Sequence, residues 1–261
     1  MNRDITATAN KVAEVTLLFW VIKILATTLG ETGGDALSMT MNLGYAVSTA
    51  IFGVLFLAAV AAQIAARGFH PFLYWTVIVA TTTVGTTMAD FADRSLGIGY
   101  VGGSLGLLAL LVLTLGAWRL ALGSVDVDRI TSWKAEAFYW VTIVFSNTLG
   151  TALGDFFADD SGLGFVGAAA VFAGCLALIA AAYFLTKLSR TLLFWAAFIF
   201  TRPLGATLGD LLTKSHDEGG LNLSRIGSTA IIALVMIGFI LLSSRGSKSA
   251  RDEREESAFL K

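Results

Sequence analysis

Apolar runs of roughly 20 residues recur along the whole chain, each long enough to cross a bilayer core of about 30 Å. Short polar stretches rich in Gly, Asp and Asn separate them. The runs fall at 14–36, 42–66, 71–92, 97–122, 134–157, 163–186, 190–212 and 222–244. The pattern predicts an all-α integral membrane protein with eight transmembrane helices.

A second period lies over the first. Trp20, Trp75, Trp140 and Trp195 each stand ten residues before a glycine: Gly30, Gly85, Gly150 and Gly205. Four residues on come Gly34, Ala89, Gly154 and Gly209, and the next residue is always aspartate: Asp35, Asp90, Asp155 and Asp210. Nine residues after each aspartate stands another glycine: Gly44, Gly99, Gly164 and Gly219. Each repeat holds two spans, so all four insert the same way up. These are parallel repeats, arranged around a pseudo-symmetric axis along the membrane normal.

The tryptophan spacing is longest in the middle of the chain, where "GSVDVDRITS" joins two halves. The organisation expected is a first half at 1–122, a cytoplasmic linker at 123–133, a second half at 134–244, and a charged, solvated and mobile cytoplasmic tail at 245–261. Arg3, Lys11, Arg67, Arg119, Arg129, Lys134, Lys187, Arg190 and the tail cations lie on one side of the spans. Only Arg94, Lys214 and Arg225 lie on the other. The excess of Lys and Arg places both termini in the cytoplasm and the four aspartates toward the outer face.

Composition agrees with the spans: 56% of the 261 residues are hydrophobic and 14% charged, against about 25% charged in a soluble domain. The first apolar run ends in "GETGGD" without a small-residue cleavage site, so no cleaved signal peptide is expected. One cysteine, Cys175, excludes an internal disulfide and a thiolate cluster. His70 and His216 fall between spans, which argues against a haem held within the membrane. The net charge of −1 selects no partner. No phosphate loop, zinc signature, nucleic-acid patch or nucleophile–base set stands out, so neither an enzyme nor a nucleic-acid binder is expected. The expected partners are the lipid bilayer and a small inorganic cation. A homo-oligomer is left open.

Gly30, Gly34, Gly85, Gly150, Gly154, Gly205 and Gly209 read as helix-packing positions, because glycine at i and i+4 lets another backbone approach. Trp20, Trp75, Trp140 and Trp195 read as packing residues between repeats. Asp35, Asp90, Asp155 and Asp210 are the candidate ion and metal ligands. Residues seven before each aspartate lie about 20° away around a helix. They are Thr28, Thr83, Thr148 and Pro203, so the threonines are candidate neutral oxygen ligands, together with Glu31 and Asn147. Four carboxylates around one axis repel each other and favour a bound cation or shared protons. Oxygen ligands without Cys or His suit Mn²⁺, Ca²⁺ or Mg²⁺. Lys23 and Arg202 break the fourfold symmetry within apolar spans and should pair with these acids, tuning the charge. With five acids against two bases, the inner set is net acidic by three.

Four copies of W-x9-G-x3-[GA]-D, each followed by a second span, resemble a family of bacterial membrane proteins built from a tandem repeat of unknown function. "KVAEVTLLFWVIKILATTLGETGGDALSMTMNLGY" carries most of the likeness, which covers about residues 11 to 244. The resemblance implies an eight-span protein of the bacterial inner membrane. "ETGGD" is also similar to the Glu-x-Gly-Asp signature of manganese or calcium proton exchangers. It has one extra glycine and occurs in a single repeat. Together these features predict a transporter or exporter of a divalent metal cation, Mn²⁺ first. The alternatives are a channel or carrier for a monovalent or small organic cation, and a non-transporting scaffold. No cofactor is expected beyond such a bound divalent cation.

Overall fold

The computed structural model describes residues 11–127 and 130–259, with side chains described through Ser244. Arg3 and Arg129, two of the cations used for orientation, lie outside the described residues. Eight long helices and no strand occur among those that are described: α1 Leu17–Asp35, α2 Gly44–Ala65, α3 Pro71–Asp90, α4 Tyr100–Leu122, α5 Trp133–Asp155, α6 Gly164–Leu185, α7 Arg190–Thr213 and α8 Arg225–Phe259. Seven of them, α2 to α8, are long and apolar enough to cross a membrane. Helix α1, which carries Lys23, Glu31 and Asp35, is not among the seven. Helix α8 extends beyond its apolar part at Arg225–Ser244 to Phe259. The stretch expected as a mobile tail is therefore helical through residue 259.

Local chemistry sets the helix starts. The side chains of Thr16, Ser132 and Ser189 accept from the backbone N–H of Phe19, Ala135 and Leu192, satisfying amides that the first turn leaves free. Pro71 opens α3, where its missing N–H costs nothing. After the aspartate, α1, α3 and α5 each widen into one π-helical turn: Ala36–Thr40, Phe91–Ser95 and Phe156–Asp160. The chain then reverses through Gly44, Gly99 and Gly164, all with positive φ, as has Gly219 in the fourth repeat. A side chain resists that conformation, which explains why the ninth residue after every aspartate is glycine.

The helices form two concentric rings. Helices α1, α3, α5 and α7 form the inner one, each packed on the next, with α7 closing on α1. Each outer helix packs on the inner helix of the following repeat: α2 on α3, α4 on α5, α6 on α7, and α8 back on α1. The ring thus runs through the mid-chain linker, because α4 and α5 flank it.

Candidate functional site

Glycine brings the inner helices together in a cyclic order. A Cβ on Gly30 would lie 2.5 Å from Thr82 Cβ, and one on Gly85 would lie 3.1 Å from the Thr148 backbone N. On Gly150 it would lie 2.5 Å from Arg202 Cβ, and on Gly205 2.5 Å from Thr27 Cβ. Each contact joins one repeat to the next, and the fourth returns to the first. The second small residues continue the seams: Gly34 faces Thr86, Gly154 faces Ala206, and Gly209 faces Glu31.

This packing turns one row of every inner helix toward a common axis, at intervals of four residues. The row on α1 is Phe19, Lys23, Thr27, Glu31 and Asp35, all buried. On α3 it is Tyr74, Ile78, Thr82, Thr86 and Asp90, and on α5 Tyr139, Ile143, Asn147, Thr151 and Asp155. On α7 it is Phe194, Phe198, Arg202, Ala206 and Asp210. The result is a stack of four-residue layers. At one end Tyr74 Oη lies 2.7 Å from Tyr139 Oη, amid the rings of Phe19, Trp75, Trp140, Phe194 and Trp195. Trp20 packs edge-on to Phe19 and beside Phe194. The aspartates form the other end.

Arg202 binds the middle layer together. Its Nη2 donates to Glu31 Oε2 at 2.9 Å, Thr86 Oγ1 at 2.5 Å and Thr151 Oγ1 at 2.6 Å. These three residues and Ala206 are register equivalents, so the guanidinium fills the space that the small alanine leaves. Thr86 and Thr151 hold their place by bonds to the carbonyls of Thr82 and Asn147. Arg202 thus pairs with a motif acid. Lys23 does not. Its Nζ donates to Asn147 Oδ1 at 3.4 Å and stands 4.2 Å from the centre of the Phe198 ring. Helices α1 and α5 lie on opposite sides of the inner ring, so this bond crosses the axis. Asn147 in turn donates to Thr81. An amide dipole and a ring face stand where a carboxylate was expected.

The four aspartates do not share one ion-binding centre. Arg94 lies 2.9 Å from Asp90 and 3.5 Å from Asp155, with Asp159 at 3.7 Å. Lys214 lies 3.0 Å from Asp35 and 3.3 Å from Asp210. Arg225 reaches Asp35 at 3.6 Å. Two clasps result, one across the α3–α5 seam and one across the α7–α1 seam. Burial alone would lower the affinity of Lys214 for its proton. The Asp210 and Asp35 carboxylates outweigh that effect and hold it well above the ordinary lysine value. The expected excess of three negative charges falls to one, because Arg94, Lys214 and Arg225 join Lys23 and Arg202 while Asp159 joins the five acids. Among the described residues no group of three or more His, Cys, Asp or Glu is arranged to hold a metal ion.

Thr28, Thr83 and Thr148 are buried, but each hydroxyl donates to a carbonyl four residues back in its own helix. That is the common local use of threonine in a membrane helix. The axial hydroxyls are Thr27, Thr82, Thr86 and Thr151, of which Thr27 and Thr82 also donate across seams to Thr201 and Ala26. The clasp cations Arg94 and Lys214 lie just beyond the apolar runs, where the sequence pattern predicts loops. Their signal was acid–base spacing at i and i+4, Asp90 with Arg94 and Asp210 with Lys214.

No curated protein and no solved structure matches the chain. A family model described as "Repeat of Unknown Function (DUF347)" matches residues 18–69, 73–123, 138–189 and 193–249. Each matched segment holds one inner and one outer helix, the unit that the ring repeats four times. The chain therefore belongs to the DUF347 family of tandem membrane-type repeats.

Proposed function

We propose that this chain is a multi-pass transporter of a small cation in the bacterial inner membrane, with the axis of the inner ring as its pathway. One observation carries this: each of the four inner helices contributes ionisable side chains, Lys23, Glu31, Asp35, Asp90, Asp155, Arg202 and Asp210, to one buried axial stack. Ionisable groups within a membrane are costly and concentrate on ion and proton paths. Helix α1 is the eighth span in this reading, made tolerable by the ring around it. Both termini are cytoplasmic, and the aspartate clasps face outward. The resident cations Arg94, Lys214 and Arg202 hold the path closed until a substrate cation competes for their carboxylates. Mn²⁺, Ca²⁺ and Mg²⁺ remain the first divalent ions to test, beside monovalent and organic cations. In this reading an ion gradient or passive flow drives the movement.

The test is flux into vesicles holding the purified chain, measured for each cation. Asp35→Asn with Asp155→Asn keeps side-chain shape and removes one charge from each clasp. The double variant should lose most of the flux at equal protein amount. Unchanged flux would leave the aspartates structural, and no flux of any tested cation through the natural chain would end the transport reading. Labelling of Asp217→Cys from outside and Ser132→Cys from inside, with Cys175 replaced by serine, checks the orientation. Labelling of both from one side would sink the topology.

A further inference from the structure

The four motif aspartates are equivalent by register, but the residues four positions beyond them are not. They are Met39, Arg94, Asp159 and Lys214 in repeats one to four. Cations thus occur in alternate repeats, and each reaches back to its own aspartate and sideways to that of the next repeat. The fourfold ring becomes twofold at this level. Every aspartate belongs to one pair, and each pair is bridged by one N–H cation, with Arg225 reaching Asp35 alone from the side at 3.6 Å.

The surroundings of each pair discriminate among cations. Lys214 Nζ has Asp35 Oδ2 at 3.0 Å, Asp210 Oδ1 at 3.3 Å and Met39 Sδ at 4.0 Å. A Ca²⁺ ion takes roughly six to eight oxygens at close range, and two carboxylates with a thioether neighbour do not supply them, whereas a smaller divalent ion would have to bring most of its shell as water. The geometry matches N–H donors, which point from a central nitrogen to separated acceptors. Asp210 Oδ1 is buried and forms no hydrogen bond, although it lies within ion-pair range of Lys214. The resident lysine thus meets this acceptor as an ion pair without completing a hydrogen bond to it. In the other pair the side chain of Arg94 keeps 32% of its surface exposed, so a cation from outside can reach it.

We propose that Asp35 with Asp210, and Asp90 with Asp155, are two separate sites for an organic monocation with N–H donors, an alkylammonium or a guanidinium, and that Lys214 and Arg94 are the chain's own occupants of these sites. This rests on the transport reading for its purpose, and it names the substrate class. The two sites stand on opposite seams, so the chain offers places for two such cations once its own are displaced.

Truncation of the occupant tests the site directly. In detergent, purified Lys214→Ala should melt below the natural chain. Methylammonium chloride should restore at least half of that loss, where sodium chloride of equal ionic strength does not. The natural chain should gain little, because its own ammonium fills the site. Adding Asp35→Asn and Asp210→Asn should abolish the recovery. Should Lys214→Ala fail to accumulate, Lys214→Met keeps the apolar stem, and Arg94→Ala with methylguanidinium repeats the experiment at the open site. Equal response to sodium and methylammonium would overturn the proposal, as would a larger response to Mn²⁺ at matched ionic strength. Vesicle flux is measured separately. Recovery without methylammonium flux would keep the sites and remove the transporter, whereas cation flux without recovery would keep the transporter and remove the sites.

Discussion

The inner and outer helices of one repeat divide polarity in the opposite sense to a water-soluble domain. The apolar stretches of α3, α5 and α7 are 67%, 67% and 72% buried, against 11%, 11%, 22% and 22% for α2, α4, α6 and α8. Yet the buried helices carry the aspartates, Arg202 and most of the hydrogen-bonded threonines. In a bilayer, lipid receives apolar side chains as readily as a protein core does. Helices therefore associate through close backbone approach and polar bonds, not through hydrophobic burial. Glycine seams and the Arg202 hub supply both in the inner ring. Few such polar contacts tie down the outer helices, and large apolar residues such as Leu113, Leu178 and Leu234 stay exposed on them.

Glycine replacement gives the largest expected contrast. Gly205→Leu must push against Thr27 Cβ at 2.5 Å and the Thr28 backbone N at 2.9 Å, whereas Gly174 on α6 has nothing within 4 Å of an added Cβ. Gly205→Leu should abolish a monodisperse folded peak in size-exclusion chromatography, and Gly174→Leu should match the natural chain. Equal behaviour of the two would dissolve the distinction between the rings.

Arg202→Ala comes next. It leaves Glu31 buried without its cation, a change that typically costs about 3–5 kcal/mol. Thermal unfolding followed by tryptophan fluorescence should show a large fall in melting temperature. Arg202→Ala with Glu31→Gln should recover part of it. A double variant no better than the single would mean that charge pairing is not what the hub contributes.

The smallest effect separates two threonines. Thr86→Val removes a buried acceptor of Arg202 and should cost about 1–3 kcal/mol. Thr114 on α4 is half-exposed to the surroundings of the bundle and bonds only to the carbonyl of Leu110. Thr114→Val should leave the melting curve in place. An equal shift in both would show that the axial network carries no special weight.

Much of the inner ring was legible in the chain. The spacings from Trp20 to Gly30 to Asp35, kept in four copies, set the repeat unit and the shared register of Asp35, Asp90, Asp155 and Asp210. The direction of each face was harder. Thr28 lies about 20° from Asp35 around the helix and Glu31 about 40° on the other side, so periodicity left both facing the same way. Neighbouring backbones decide between them: Gly209 admits Glu31, and Thr28 bonds to Ile24. Arg94 was obscured differently. It lies in a π-helical turn beyond the apolar run, and the sequence pattern marks that turn as a loop although it keeps helical reach to Asp90.

The ring closes only when its last members meet its first, and that has a consequence during synthesis. Helix α1 leaves the ribosome carrying Lys23, Glu31 and Asp35. Their partners follow 124, 171 and 179 residues later, in Asn147, Arg202 and Lys214. Its outer neighbour α8 is made last of all. Until then Glu31 has only the Thr86 hydroxyl, 55 residues on, and Lys23 and Asp35 lack these partners; in the proposed multi-pass membrane arrangement such uncompensated charge is expensive. On the proposed multi-pass arrangement, the first helix to emerge waits beside the insertion machinery or in the polar interface, and a nascent chain cut before α7 lacks the groups that would let α1 enter the lipid.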